Sequence, residues 1–220
     1  MTTAVGTTST DDLIEILAAA QRPQPRRPPW FVIAIAGLVG LGLAVAITCA
    51  TLGIRSDFLA SWTHPAIWLK LGVTGLILVC ACLAARRLSL PGRGWKGART
   101  VLTITFTVIM IWAAADLTTR PMAEWAHCIA GRDWSTCLMA IPLLSLAPML
   151  AMGLAMRRLA PTRLEAAGTL LGLASGAVAA MAFSLYCRDD AVSFVAIWYG
   201  AALALSALIG RALGPRLLRW

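Results

Sequence analysis

Two cysteines stand at the edges of long apolar runs, where a thiol can be both reactive and sheltered. Cys137 opens the run Trp134-Ser-Thr-Cys137-Leu-Met-Ala-Ile-Pro142-Leu-Leu-Ser-Leu-Ala-Pro148, and Cys187 closes the next one. If the two runs are antiparallel helices, both thiols end at the same height. Packed helices lie about 8–10 Å apart, so facing residues can reach the Cα separation of a disulfide. Such a pair can cycle between dithiol and disulfide, bind a soft metal as thiolates, form a permanent structural bridge, or be two unrelated buried thiols. Spacing alone leaves these open. Cys128 is a possible additional thiol and could partner either. His127 and Cys128 could also supply donors to a metal together with Asp189 or Asp190. Adjacent residues make poor joint ligands, however, and no CxxC or HxxxH spacing is present, so no firm metal site is expected. Cys80 and Cys82, two residues apart, do not share a helix face. They and Cys49 are expected to be packing residues.

The elements that must hold these thiols are membrane spans. Of 220 residues, 59% are hydrophobic and only 13% charged, and mean hydropathy is +0.77. Soluble domains are closer to half apolar and a quarter charged. The expected fold is all-α and polytopic, with six transmembrane helices at about 30–53, 66–85, 98–117, 136–156, 164–186 and 191–212, each near the roughly 20 residues that cross a bilayer. The domain division is a tail, 1–29, and a six-helix membrane domain, 30–220.

The net charge of +9 would suit nucleic acid if it were clustered on one face. Instead the basic residues sit between spans, so no direct nucleic-acid binding is expected. Arg22, Arg26 and Arg27 lie in the tail. Arg86, Arg87, Arg93, Lys96 and Arg99 lie in the second loop, Arg157, Arg158 and Arg163 in the fourth, and Arg211, Arg216 and Arg219 at the C-terminus. The other loops hold only Arg55, Arg120, Arg132 and Arg188. This asymmetry puts both termini in the cytoplasm. Trp30, Trp62, Trp68, Trp95, Trp134 and Trp220 lie near span borders, as interfacial anchors do. Lys70, about one turn into span two, is expected to snorkel outward, with Asp116 as its nearest candidate partner. Pro142 and Pro148 would kink span four just below Cys137, where a chemical change could become helix movement.

The tail carries one amphipathic stretch, Thr10-Asp-Asp-Leu-Ile-Glu-Ile-Leu17-Ala-Ala-Ala20. Thr10 can cap it, and Asp11, Asp12 and Glu15 suit the positive end of a helix dipole. Leu13, Ile16, Leu17 and Ala20 form one apolar face. So short a helix needs a surface to fold on, and its acidity disfavours an anionic bilayer. The expected partner is a protein, contacted by Asp11, Asp12, Leu13, Ile14, Ile16 and Leu17. Residues 21–29 form a basic, Pro-rich, extended spacer.

The pattern Trp134…Cys137-Leu-x-x-Ile-Pro142-Leu-Leu-Ser-Leu-x-Pro148 resembles the NrsF-type membrane anti-sigma factors. So do Pro161-Thr162, Cys187-x-Asp-Asp190, Phe194-Val-Ala-x-Trp198-Tyr199, Gly214-Pro-Arg-Leu-Leu-Arg-Trp220, Thr10-Asp-Asp-Leu-Ile14 and Trp68-Leu-Lys70. The resemblance runs in order along essentially the whole chain. It implies a multi-pass protein of a bacterial inner membrane that sequesters an extracytoplasmic-function sigma factor and releases it on metal or oxidative stress. It also implies that Cys137 and Cys187 are the sensing pair, and that the protein is not an enzyme and needs no cofactor. Tyr186 and Arg188 flank Cys187 where many members carry His and Pro, which favours thiol oxidation over metal ligation. The rival readings are a membrane thiol–quinone oxidoreductase, which would want its thiols close together in one loop, and a small-molecule transporter, which would want polar mid-membrane groups.

Overall fold

The structure, a computed structural model, describes residues 9–20, 29–56, 63–88, 96–157 and 163–219. The spacer 21–28, Pro161-Thr162, Trp62, Trp95 and Trp220 lie outside the described residues.

The elements are all helical. They are α1 (Thr10–Ala20), α2 (Pro29–Thr51), α3 (Pro65–Leu88), α4 (Lys96–Thr118), α5 (Met122–Ala130), α6 (Trp134–Arg157), α7 (Leu164–Phe183) and α8 (Val192–Leu217). Among the described residues, six helical stretches are long and apolar enough to cross a membrane, the number expected. The short helix α5 was not anticipated. It occupies what read as loop and ends at Gly131, whose φ of 58° lies in the left-handed region that glycine tolerates.

Ser9, not Thr10, caps α1. The Asp11 amide donates to Ser9 Oγ at 3.4 Å, and the Ser9 amide donates back to Asp12 Oδ2 at 3.3 Å. This is the reciprocal arrangement of a capping box with Asp in the acidic position, and it moves Thr10 into the first turn.

The bundle is organised around α7, which packs on α2, α3, α6 and α8. Its closest neighbour is α8, and glycine explains how close. Gly168, Gly172 and Gly176 recur every fourth residue on α7 and face Ser206, Gly210 and Gly214 on α8. A Cβ at Gly172 would stand 2.9 Å from Gly210 Cα, and one at Gly214 would stand 2.7 Å from Gly168 Cα. Side chains do not separate these helices; their backbones touch, as in small-xxx-small pairs of membrane helices. The α2–α6 contact is similar at one point, where a Cβ on Gly40 would meet Pro148 Cβ at 2.6 Å. Pro142 and Pro148 are both buried, and α6 runs through them from Trp134 to Arg157; Ser145 Oγ donates to the Pro142 carbonyl. By contrast α4 sits at the periphery, with Ile104, Phe106, Val108, Ile111 and Trp112 at least half exposed, as suits a lipid-facing helix.

Two buried clusters mark the two ends. At one, Ile33, Leu88, Met156, Ala167 and Leu218 join the start of α2 to the ends of α3, α6 and α8, and the Arg157 side chain donates to the Leu217 carbonyl. This is the end at which α2 begins and α8 finishes. At the other, distal end, Cys137, Ile141, Phe183, Cys187, Phe194 and Tyr199 pack together. Cys49 is exposed on α2, so it is not a packing residue as expected.

Replacing Gly172 by Leu must separate α7 from α8. We expect it to cost about 3 kcal/mol, the upper end of overpacking penalties. Gly75, where an added Cβ meets nothing within 4 Å, should accept Ala without loss. Thermal unfolding of the two purified variants in detergent checks both.

Candidate functional site

The distal cluster is built by the way α7 stops. Beyond Phe183 the chain tightens into a turn. The Tyr186 amide donates to Phe183 O at 3.0 Å, and so does the Cys187 amide. This folds Cys187 back beneath the helix end, where its side chain has no solvent exposure. Cys137, in the first turn of α6, is equally covered and belongs to the same cluster. The structure therefore brings together the two thiols singled out by sequence. All six cysteines are free thiols.

The segment after Cys187 is fastened on several sides. Asp189 Oδ2 accepts the amides of Arg132 at 2.9 Å and Asp133 at 2.8 Å. Asp133 O in turn accepts the Cys137 amide at 2.8 Å. The loop holding Cys187 is thus tied to the turn that starts the helix holding Cys137. Helix α5 is clamped alongside: Trp198 Nε1 donates to Ile129 O at 2.7 Å, Ser193 Oγ donates to Cys128 O at 3.0 Å, and Trp134 and Trp198 stack at 5.0 Å.

Beneath this loop lies a charged centre that the sequence reading misplaced. Lys70 does not snorkel; it is 1% exposed. Its Nζ donates to Asp190 Oδ1 at 2.7 Å, to Cys187 O at 3.3 Å and to Cys187 Sγ at 3.9 Å. Asp116 is not its partner: it pairs with Arg120 four residues on, at 3.1 Å. Arg55, 5% exposed at its side chain, approaches Asp190 Oδ2 at 3.7 Å and donates to Cys187 O at 3.5 Å. The physical reason is that the acid sits at the same height as Lys70 across the bundle, and a buried ammonium is tolerable only with such a partner. One signal was available in the sequence. A lone lysine near the distal end of one span and the Asp189-Asp190 pair at the distal end of another are natural partners.

Burial pushes the Cys187 thiol up from its ordinary value, and the Lys70 ammonium acts in the opposite direction. The Tyr199 hydroxyl is fully buried beside both thiols, yet no partner meets hydrogen-bond geometry there. A metal fits less well. Among the described residues, Asp133, Cys187 and Asp189 have donor atoms within 4.8 Å of one another. Asp189 Oδ2 already accepts two amides, and Lys70 places a positive charge beside Cys187. His127 and Cys128 line a cleft of about 400 Å³ with Asp189 and Asp190, but they do not join that group. Asp11, Asp12, Leu13, Ile14, Ile16 and Leu17 are far along the chain on α1, all exposed, the four apolar ones by 50–60%.

An all-helical bundle with six apolar crossings and a buried thiol–ion cluster at one end defines a polytopic membrane protein. Residues 17–220 match the family model described as NrsF, "Negative regulator of sigma F". The chain is 36% identical to the "Anti-sigma-F factor NrsF" of Caulobacter vibrioides (strain NA1000 / CB15N), over 96% of this chain and 99% of that protein. It is 32% identical to the "Probable anti-sigma-F factor NrsF" of Azospira oryzae (strain ATCC BAA-33 / DSM 13638 / PS), again over 96% and 99%. The chain belongs to the NrsF family. No solved structure matches it.

Asp189→Ala removes a charged acceptor from two backbone amides. A loss of about 2 kcal/mol is expected, within the range for hydrogen bonds to charged groups, read as a lowered unfolding midpoint. Asp189→Asn, which keeps one carbonyl acceptor, should lose less.

Proposed function

We propose that the protein is a membrane anti-sigma factor that holds an extracytoplasmic-function sigma factor at the cytoplasmic face of a bacterial inner membrane. Release follows a metal or oxidant event at Cys137 and Cys187. The observation that carries the reading is the end-to-end similarity to two proteins named as anti-sigma-F factors. The bias of basic residues toward the tail, the second and fourth loops and the C-terminus supports cytoplasmic termini.

Helix α1 is the segment we assign to the sigma factor. Its first turns precede the family match, which begins at residue 17. The assignment rests instead on its apolar residues, left exposed, and on Asp11 and Asp12 at its start. A helix of 11 residues is marginal alone in water, and an amphipathic face of this kind suits docking in a partner's groove. The thiols are the sensing end. Tenfold release of a bound partner needs only about 1.4 kcal/mol of differential affinity between two bundle states. Pro142 and Pro148, inside α6 and roughly one and three turns below Cys137, each remove a helix hydrogen bond, and this is where we place the movement.

Leu13→Ala with Ile16→Ala should abolish co-purification of the sigma factor from solubilised membranes while leaving the bundle folded. Full retention after deletion of residues 1–20 would remove α1 from the reading. Separately, Cys137→Ser and Cys187→Ser should each blunt induction of sigma-dependent transcription by oxidant or metal, whereas Cys49→Ser should not. Unchanged induction in both site variants would end the sensor assignment.

A further inference from the structure

Lys70 is the largest charged investment of the bundle interior, and the proposed sensing pair does not by itself explain it. An ammonium has three donors. All three hydrogen bonds of Lys70 among the described residues run to the segment 187–190: to the Asp190 carboxylate, the Cys187 carbonyl and the Cys187 sulfur. None of these acceptors lies on the helix of Lys70 itself. The contact thus joins α3 to the loop between α7 and α8, at the residue whose thiol is in question. Arg55 repeats the pattern from the segment after α2, reaching the same carbonyl and the same carboxylate, while its own amide donates to Leu185 O at 3.2 Å. Two cations from two different elements therefore converge on one short stretch of chain.

We propose that Lys70, held by Asp190, is the positioning residue of the Cys187 thiol: it pins segment 187–190 against α3, keeping Cys187 covered and aligned with Cys137. The proposal rests on the reading of Cys137 and Cys187 as the sensing pair and names the residue that governs access to one of them. The geometry separates the two thiols. Cys187 lies on a loop with no regular backbone ladder, so its burial depends on what holds the loop. Cys137 lies inside α6, whose own helix and packing keep it covered. Losing the Lys70 contact frees the loop to open locally while the helices stay packed. Asp190, one-third exposed at its side chain, is the carboxylate shared by two buried cations, so its removal takes that partner from Lys70 and from Arg55 and leaves both with the Cys187 carbonyl.

The experiment uses the full-length chain in membrane vesicles, in two single-thiol forms that retain Cys187 or Cys137 with the other five cysteines changed to Ser. N-ethylmaleimide is the probe, and the rate of labelling is the readout, together with the unfolding midpoint. With Lys70 in place both thiols should label slowly. Lys70→Met should raise the Cys187 rate about tenfold or more, as expected for a local opening, and leave the Cys137 rate within about twofold. Asp190→Asn, which keeps an oxygen for Lys70 but removes the charge, should shift Cys187 in the same direction with a lowered midpoint. Where Lys70→Met does not accumulate in the membrane, Asp190→Asn decides alone. A Cys187 rate that stays slow overturns the proposal. So does equal acceleration of both thiols, which would mark the ion pair as general scaffolding. Labelling needs no sigma factor, so these outcomes stand apart from the induction assays that test the sensing reading.

Discussion

The contact between α7 and α8 governs the rest of the bundle. Six small residues let the two backbones meet without intervening side chains. In hydrocarbon, where burying an apolar side chain against another gains little over lipid, such close packing and its dispersion contacts are what hold helices together. This backbone contact runs from Gly168 and Gly214 to Gly176 and Ser206, and beyond Phe183 the chain turns to enter α8 at Val192. That turn is the segment carrying Cys187, Asp189 and Asp190.

The turn is then read by everything around it. Asp189 binds the amides that precede α6, Lys70 binds from α3, and Arg55 binds from the end of α2. The cost of burying Lys70 is large in isolation, and it is offset because Asp190 sits 2.7 Å away and keeps one side in water. The same ammonium makes the site a poor cage for a cation while leaving it compatible with thiol chemistry. Burial of both sulfurs means that reaction at either is controlled by opening, so the stability of the loop matters as much as the intrinsic chemistry of the thiol.

The thiol cluster and the cluster around Ile33 and Met156 lie at opposite ends of the bundle, and α2 runs from the latter, at Ile33, to the segment of Arg55 beside Cys187. Midway it meets α6 at Gly40 and Pro148 in direct contact. Helix α2 thus spans the distance between the two buried clusters and packs backbone against Pro148 of α6 on the way.

Much was legible in the residues. Six apolar stretches must be helices, because only a helix satisfies its own backbone in lipid. The amphipathic pattern of 10–20, and Cys137 and Cys187 at the borders of successive spans, followed from periodicity and length. What could not be read was which residues meet across the bundle. Ser9 displaced Thr10 as cap, because capping is decided by two reciprocal hydrogen bonds and either hydroxyl suits the position. Cys49 proved exposed, because a span apolar on all sides gives no clue to its lipid face. Lys70 was assigned to the water interface and Asp116, whereas Arg120 takes Asp116 and Asp190 takes Lys70. The sequence by itself determined the six spans, α1 and the candidate thiols, though not the short α5, since these depend on local hydropathy and spacing. Only the tertiary structure decided that a buried lysine lies under Cys187. That contact joins residues 117 positions apart, and no local signal reports a distance that the packing of α3, α7 and α8 creates.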